Sequence, residues 1–600
     1  MPTPLARLRS LISRLGVDGM VVPRTDAYQS EVTAPHDDCL RYLSGFTGSA
    51  GMAIVLADRA LLFVDGRYSV QVRHEVDLAV WDIHPLHDEP PQIWLRASAR
   101  QGWRIGADPM RLSATAFDRL ASACSAAGAS LVALPDDPFD AIWPLRPEKP
   151  QGRIRIMPDS VAGESSTAKR DRIAARLRTE GADLLIETLP DNIAWLLNVR
   201  GSDVPMNPVP QSFLLLDAAG GAEWFVDLRK LGNALDWPEM PGISRTDPDR
   251  FADRLAWAAS GKAVLIDPDF APAAIRTHIT AAGGRVIAQP DPITLAKALK
   301  NPTELAGYRA CHLEDGAALT DFLAWFTVEM PRREAAGRPL TELDAEQKLH
   351  VFRAGRIGFL EDSFRTISAA GANAAMCHYA ASPASDAPIL SDRPYLIDSG
   401  GQYLNGTTDV TRTFMIGPPD EALRDAYTAV LKGFLSLLTT RFPVGTKGHQ
   451  LDAFARRALW DMGRDYDHGT GHSVGHNLLI HEYPYRFAKQ ANDFGLEPGA
   501  IMTIEPGFYA EGDFGMRIEN QVEVIADSYP GFCRFASLTL APIDLAMVRP
   551  ERLTREEIIA LDSYHAEVRD RLRSLVRPET IGFLIDRTRP LWEQIKAVHF

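Results

Sequence analysis

Cysteine is scarce in this sequence. Cys39, Cys124, Cys311, Cys377 and Cys533 are scattered through 600 residues with no CxxC pair and no regular spacing. That argues against a sulfur-ligated metal and a disulfide framework, and it suits a reducing compartment. Basic residues are the minority charge, 64 against 78 acidic, for a formal net charge of −14. Neither nucleic acid nor an anionic membrane is therefore the expected partner. No uninterrupted apolar run reaches membrane-spanning length, so a soluble protein is expected. The opening MPTPLARLRSLISRLGVDGMVVP lacks the continuous apolar core of a signal peptide. Leu5, Leu8, Ile12 and Leu15 form one helical stripe with Arg7, Arg9 and Arg14 opposite, read as a first helix feeding the strand GMVVP in preference to a transit peptide.

Six hundred residues exceed what one hydrophobic core organises, so several domains are expected. RYLSGFTGSAGMAIVLADRALLFVDGRY (41–68) reads as strand, Gly-rich turn, strand, polar turn, strand. AWLLNVRGSDVPMNPVPQSFLLLDAAGGAEWFVDLRK (194–230) repeats that grammar, and each copy follows a helix-then-strand pattern. One long-period repeat of this kind predicts two copies of an α/β domain and no solenoid. The Pro-rich stretch at 135–158 is the expected linker. Near residue 300, Asn301 before Pro302 is a candidate N-cap for a long amphipathic helix. The predicted domains are thus 1–153, 154–300 and 301–600.

The last domain carries the chemistry. In PYLIDSGGQYLNGTTDVTRTFMIG, strand-like residues flank Asp398 and Asp409, and Asn405-Gly406 is a hairpin signal. A turn centred there sets Asp398 opposite Thr413 and Asp409 opposite Gln402, both aspartates on one face but about 13 Å apart along it. Convergence then requires a bend or bulge, expected at Gly400-Gly401. GAIMTIEPGFYAEGDFGMRIENQVEVI adds Glu505 after an apolar run and Glu519, expected within a strand. An ionised glutamate there needs a cation, either a metal or a basic residue such as Arg517. Four such carboxylates outnumber one arginine, and oxygen clusters of this kind bind hard divalent cations, in pairs where carboxylates bridge.

DHGTGHSVGHNLLIHEYP (467–484) places His468, His472 and His476 four residues apart, with His481 beyond. Gly469, Gly471 and Gly475 argue against a helix there, and no HExxH occurs. One imidazole among the carboxylates favours manganese, cobalt, zinc or iron over calcium. His378, in AAGANAAMCHYAA, lies just upstream of the hairpin.

CHY, LIDSGGQYLNGTTDVTRT, HGTGHSVGHNLLIHE, TIEPGFY and MRIENQVEV, in that order, resemble the pita-bread metallopeptidases, and within them the three-domain aminopeptidase P family. DAYQSEV, YLSGFTGSAG, DGRY and DNIAWLLNVRGSDVPMNPV extend the resemblance over nearly the whole chain. It implies an α/β (α+β) fold: two related N-terminal creatinase-like α/β domains, then a C-terminal pita-bread catalytic domain. It makes Asp398, Asp409, His472, Glu505 and Glu519 the ligands of two divalent metal ions, manganese first, with zinc or cobalt also suited. His378, His468 and His481 match histidines that bind substrate or stabilise the transition state, Glu505 doubles as the proton acceptor, and Arg517 accompanies the ligands. The implied reaction is removal of an N-terminal residue that precedes proline, and the implied assembly is a cytoplasmic homodimer.

His476, Ser473, Tyr483 and Phe514 depart from the family pattern without removing a ligand; His476 is expected to be a bystander. A prolidase restricted to Xaa-Pro dipeptides, a non-catalytic pita-bread binding protein and a metal-free amidinohydrolase remain as alternatives at this point.

Overall fold

The structure, a computed structural model, describes residues 2–591 apart from 233–236 and 238. The chain divides into two compact units, one formed by residues up to Asp159 with Glu164–Leu295, the other by Ser160–Gly163 with the chain from Ala296 onward.

The first unit holds two six-stranded sheets of the same topology. From edge to edge the first runs Asp82–Pro85, Ala60–Val64, Gly51–Leu56, Gly19–Pro23, Arg104–Ala107, Ser130–Ala133. The second runs Ile243–Thr246, Ala222–Phe225, Phe213–Asp217, Leu184–Glu187, Ala263–Ile266, Arg285–Ala288. In both, the two pairings at the middle of the meander are antiparallel and the outer three are parallel. The sequence repeat is therefore a repeat of topology. Parallel pairs need helical crossovers that cover the sheet faces, which is why several of these strands are buried throughout.

The first helix, Pro4–Leu15, starts on the Thr3 cap and buries Leu5, Leu8, Leu11 and Ile12. Leu15, expected in that stripe, is 38% exposed, and Leu11 completes the buried stripe in its place. Within 135–158, the segment expected as linker, Pro138–Ile142 is helical and buries Phe139 and Ile142, so only part of that stretch is a bare connection.

In the second unit a long helix, Pro302–Ala335, begins on the expected cap. Asn301 Oδ1 accepts the N–H groups of Thr303 and Glu304, and Glu304 returns the bond to Asn301 N–H at 2.9 Å. A six-stranded sheet follows the order Arg441–Pro443, Phe532–Ser537, Asn520–Ala526, Ile501–Ile504, Gly471–Ser473, Glu482–Phe487. A three-stranded sheet pairs Ile367–Ala370, Tyr395–Ser399 and Val410–Phe414, and another pairs Phe359–Asp362, Gly401–Tyr403 and Gly406–Thr407. Helices Glu421–Leu438, Gly448–Trp460 and Arg555–Leu572 share one apolar core with the six-stranded sheet.

The aspartate hairpin differs from its expected register by two residues. Tyr403 pairs with Gly406, leaving Leu404-Asn405 as the turn, so Asp398 opposes Thr411 and not Thr413. Gly406 is required for a different reason: a Cβ there would lie 2.6 Å from Cys311 Sγ on the long helix. The shift is even, so Asp398 keeps its face. Asp409 lies outside the ladder, between Gly406–Thr407 and Val410–Phe414, and does not pair with Gln402. The predicted bend is at Gly400, where the hairpin passes from one three-stranded sheet to the other and a Cβ would collide with Thr408 O and Ser363 Oγ. Glu519, expected inside a strand, sits in the break between Phe514–Arg517 and Asn520–Ala526, with its N–H donated to Thr411 O at 3.2 Å. That break lets its side chain leave the period-two alternation.

Candidate metal centre

Each carboxylate stands where a strand ends or is interrupted: Asp398 before the Gly400 bend, Asp409 after it, Glu505 just past Ile501–Ile504, and Glu519 in its break. His472 lies on the short strand Gly471–Ser473, bracketed by Glu482–Phe487 and Ile501–Ile504, so the histidine stretch is strand and turn with no helix. Its Nδ1 lies 3.0 Å from Ser473 O, which fixes the proton there and leaves Nε2 as a lone pair. That Nε2 is 3.5 Å from Asp409 Oδ2 and 3.7 Å from Glu505 Oε1. One donor atom each of Asp409, His472 and Glu519 lie within 4.8 Å of one another.

Arg517 closes the other side. Its Nη2 donates to Asp398 Oδ2 at 2.5 Å, and its Nε is 4.0 Å from Glu505 Oε2. Asp398 Oδ1 is buried with no hydrogen-bond partner, and Thr411 Oγ1 donates to Glu519 Oε2 at 2.6 Å. An orphaned carboxylate oxygen within a set of four carboxylates and one imidazole is the donor chemistry a divalent cation requires.

The other histidines differ among themselves. His481 meets His472 edge to face, ring centroids 4.3 Å apart. Arg517 Nη1 donates to Tyr509 Oη at 2.5 Å, so the Tyr509 hydroxyl proton goes to His468 Nε2, 2.8 Å away. His468 Nδ1 then donates to Gly469 O at 2.7 Å, so both ring nitrogens engage protein groups. His378 is half-buried next to Cys377, whose carbonyl accepts from Arg517 Nη2 at 3.3 Å. His476 is buried and packs edge to face on Tyr308, 5.5 Å between centroids.

Residues 306–526 match the model of metallopeptidase family M24, residues 531–591 its C-terminal region, and residues 4–137 and 145–304 two models of the creatinase/prolidase N-terminal domain. Aminopeptidase P1 of Arabidopsis thaliana is 33% identical, the match covering 98% of this chain and 99% of that protein. A probable Xaa-Pro aminopeptidase P of Neosartorya fischeri is 37% identical over 94% of this chain and 89% of its own. The chain belongs to metallopeptidase family M24, in its aminopeptidase P branch. The crystal structure of X-prolyl aminopeptidase from Caenorhabditis elegans, described as a cytosolic enzyme with a di-nuclear active site, superimposes with a TM-score of 0.92 at 31% identity, covering 98% of this chain and 99% of that one. The mixed α/β fold, with creatinase-like domains ahead of a pita-bread domain, is thus that of the family, and the chain is a hydrolase of the M24 class.

The electrostatics follow from burying these carboxylates together. Burial, then the Asp398 charge, raises Asp409 well above the usual carboxylate range; burial, then Asp409, does the same for Glu519. Burial pushes Glu505 up to about 7, with His472 and Arg517 opposing it. The fold alone therefore disfavours ionising all of these carboxylates together, and cations reverse that balance. Sequence reasoning missed Thr411 and Tyr509. Neither had a usable signal: the register expected from the turn put Thr413, not Thr411, opposite Asp398, and a tyrosine in GFYA carries none.

Proposed function

We propose that this protein removes the N-terminal residue from peptides whose second residue is proline, using two divalent cations, manganese first, held by Asp398, Asp409, His472, Glu505 and Glu519. The observation that carries this reading is the convergence of these donors, with Asp398 Oδ1 left unsatisfied, in a chain alike over its whole length to aminopeptidases of that name. Domains at 1–153, 154–300 and 301–600, a cytoplasmic location and a homodimer complete the proposal; a homodimer of this 66.0 kDa chain sediments at twice that mass.

Cations at those ligands would lower the pKa of a shared water and polarise the scissile carbonyl. Glu505 would take the proton of that water and return it to the leaving imino nitrogen. His481 and His378 donate hydrogen bonds to the carbonyl oxygen as it gains charge, about 3–4 kcal/mol for one well-placed donor. Arg517 orients Asp398 so that Oδ1 faces the site, and through Tyr509 it holds His468 neutral. Proline on the leaving side makes the scissile bond a tertiary amide, with no N–H for a general peptidase to grip.

The test is a substrate panel. Release of the first residue from Xaa-Pro-Xaa tripeptides, with Xaa-Ala-Xaa left intact, is the expected outcome. Cleavage of Xaa-Pro dipeptides alone would replace the aminopeptidase reading with a prolidase.

A further inference from the structure

Behind the ligands lies a buried layer of amides and hydroxyls that the proposed chemistry does not use. At its centre is Gln402, fully buried on Gly401–Tyr403 in the aspartate hairpin. Its Nε2 donates to Leu478 O at 2.8 Å. Its Oε1 accepts from Thr407 Oγ1 at 2.8 Å and from Asn477 Nδ2 at 3.3 Å. Leu478 O can only accept, so the amide has a single workable orientation. Thr407 is also held from the far side, its carbonyl accepting from Gln521 Nε2 at 3.2 Å.

These contacts join pieces of chain that are distant in sequence. Asn477 and Leu478 belong to the loop between His472 and His481. That loop closes on itself through Gly475 N–H to Leu479 O at 2.9 Å, and Asn477 sits at φ 48°. Its other end is held by Tyr308 Oη donating to Val474 O at 2.8 Å. Gln402 and Thr407 lie between Asp398 and Asp409, and Gln521 is two residues beyond Glu519. Two ligand-bearing segments thus meet at one buried amide, and the third joins them through the Thr407 carbonyl.

We propose that Gln402 is a positioning residue: it staples the His472–His481 loop to the aspartate hairpin and thereby sets the separation of the two halves of the metal site. It acts through Leu478, Thr407 and Asn477 and not on the reacting atoms. The inference rests on the metal reading above and adds to it the group that fixes the inter-segment distance. A methionine at 402 fills the same space without the bonds. A glutamate there sets a carboxylate oxygen against Leu478 O, so Gln402→Glu is no closer to wild type than Gln402→Met despite its matching shape.

The experiment titrates metal-stripped wild type, Gln402→Met and Val568→Ala with Mn²⁺ by calorimetry, alongside their melting temperatures. Val568 is buried in Arg555–Leu572, and its truncation is a core lesion in the same unit that leaves the staple in place. Gln402→Met is expected to weaken Mn²⁺ binding about 10-fold, the scale of losses on removing groups that orient ligands, whereas Val568→Ala lowers the melting temperature and leaves Mn²⁺ affinity unchanged. Wild-type affinity in Gln402→Met, or an equal loss in Val568→Ala, overturns the staple. Wild type that binds no Mn²⁺ overturns the metal reading itself and the staple with it.

Discussion

His472 and His476 share a spacing rule and little else. His472 directs a lone pair at Asp409 and Glu505, while His476 lies under Tyr308. His472→Ala is therefore expected to lose bound metal and to reduce activity by three orders of magnitude or more, roughly the combined contribution of metal-ion catalysis. His476→Ala is expected to keep its metal and to cost stability only, of the order of 1–3 kcal/mol for a buried ring. Metal content by elemental analysis separates the two, and metal loss in His476→Ala would contradict this assignment. The four-residue period could not tell these histidines apart; the glycines and the count of carboxylates could, because they argue against a helix and leave room for one imidazole. What the sequence hid at this scale was hydroxyl chemistry. Tyr509 and Thr411 orient His468 and Glu519, yet a hydroxyl has no characteristic spacing and its partners lie 41 and 108 residues away.

At the scale of elements, the aspartate hairpin shows how a correct motif yields a wrong register. Asn405-Gly406 has the chemistry of a two-residue turn, but Gly406 is glycine because the long helix passes against it. The bend at Gly400 was legible since two aspartates on one straight strand pair cannot reach a common ion. Gly400→Ala should push Thr408 aside and displace Asp409 with it. The expected result is a folded protein that binds one metal equivalent where wild type binds two, with activity reduced at least about 10-fold; unaltered stoichiometry would show that the bend tolerates a side chain.

Helix Arg555–Leu572 supplies a second test. His565 Nε2 accepts the N–H of Ile543 at 3.0 Å, and burial, then Arg412, push this histidine down to about 3. An unfolded histidine titrates near 6.5. Between these values the unfolded chain binds the extra proton, so stability falls as pH drops below about 6.5. Glutamine can accept the same N–H without titrating. Wild type should therefore lose about 2 kcal/mol relative to His565→Gln between pH 7.5 and pH 5, measured by paired denaturant unfolding. Parallel pH profiles would refute a neutral buried His565.

Across the whole molecule, the two N-terminal sheets repeat each other strand for strand; a helix-then-strand pattern with a shared turn grammar was enough to expect two copies of one α/β domain, although the first strand read in each copy is helix, Cys39–Ser44 and Pro190–Leu197. The six-stranded sheet of the second unit was not legible, because its neighbours come from segments separated by most of the domain. Among the described residues no helix is long and apolar enough to cross a membrane. The central claim is that this fold assembles a two-cation site from five residues and uses it on Xaa-Pro peptides. The most direct measurement adds Mn²⁺ stepwise to metal-stripped wild type and Asp409→Ala, following bound metal and hydrolysis of an Xaa-Pro-Xaa tripeptide in the same samples. Wild type should take up two equivalents and gain activity as it does so, while Asp409→Ala, stripped of the carboxylate nearest His472, should show neither. Full hydrolysis by the metal-stripped wild type, or by Asp409→Ala, would contradict the account.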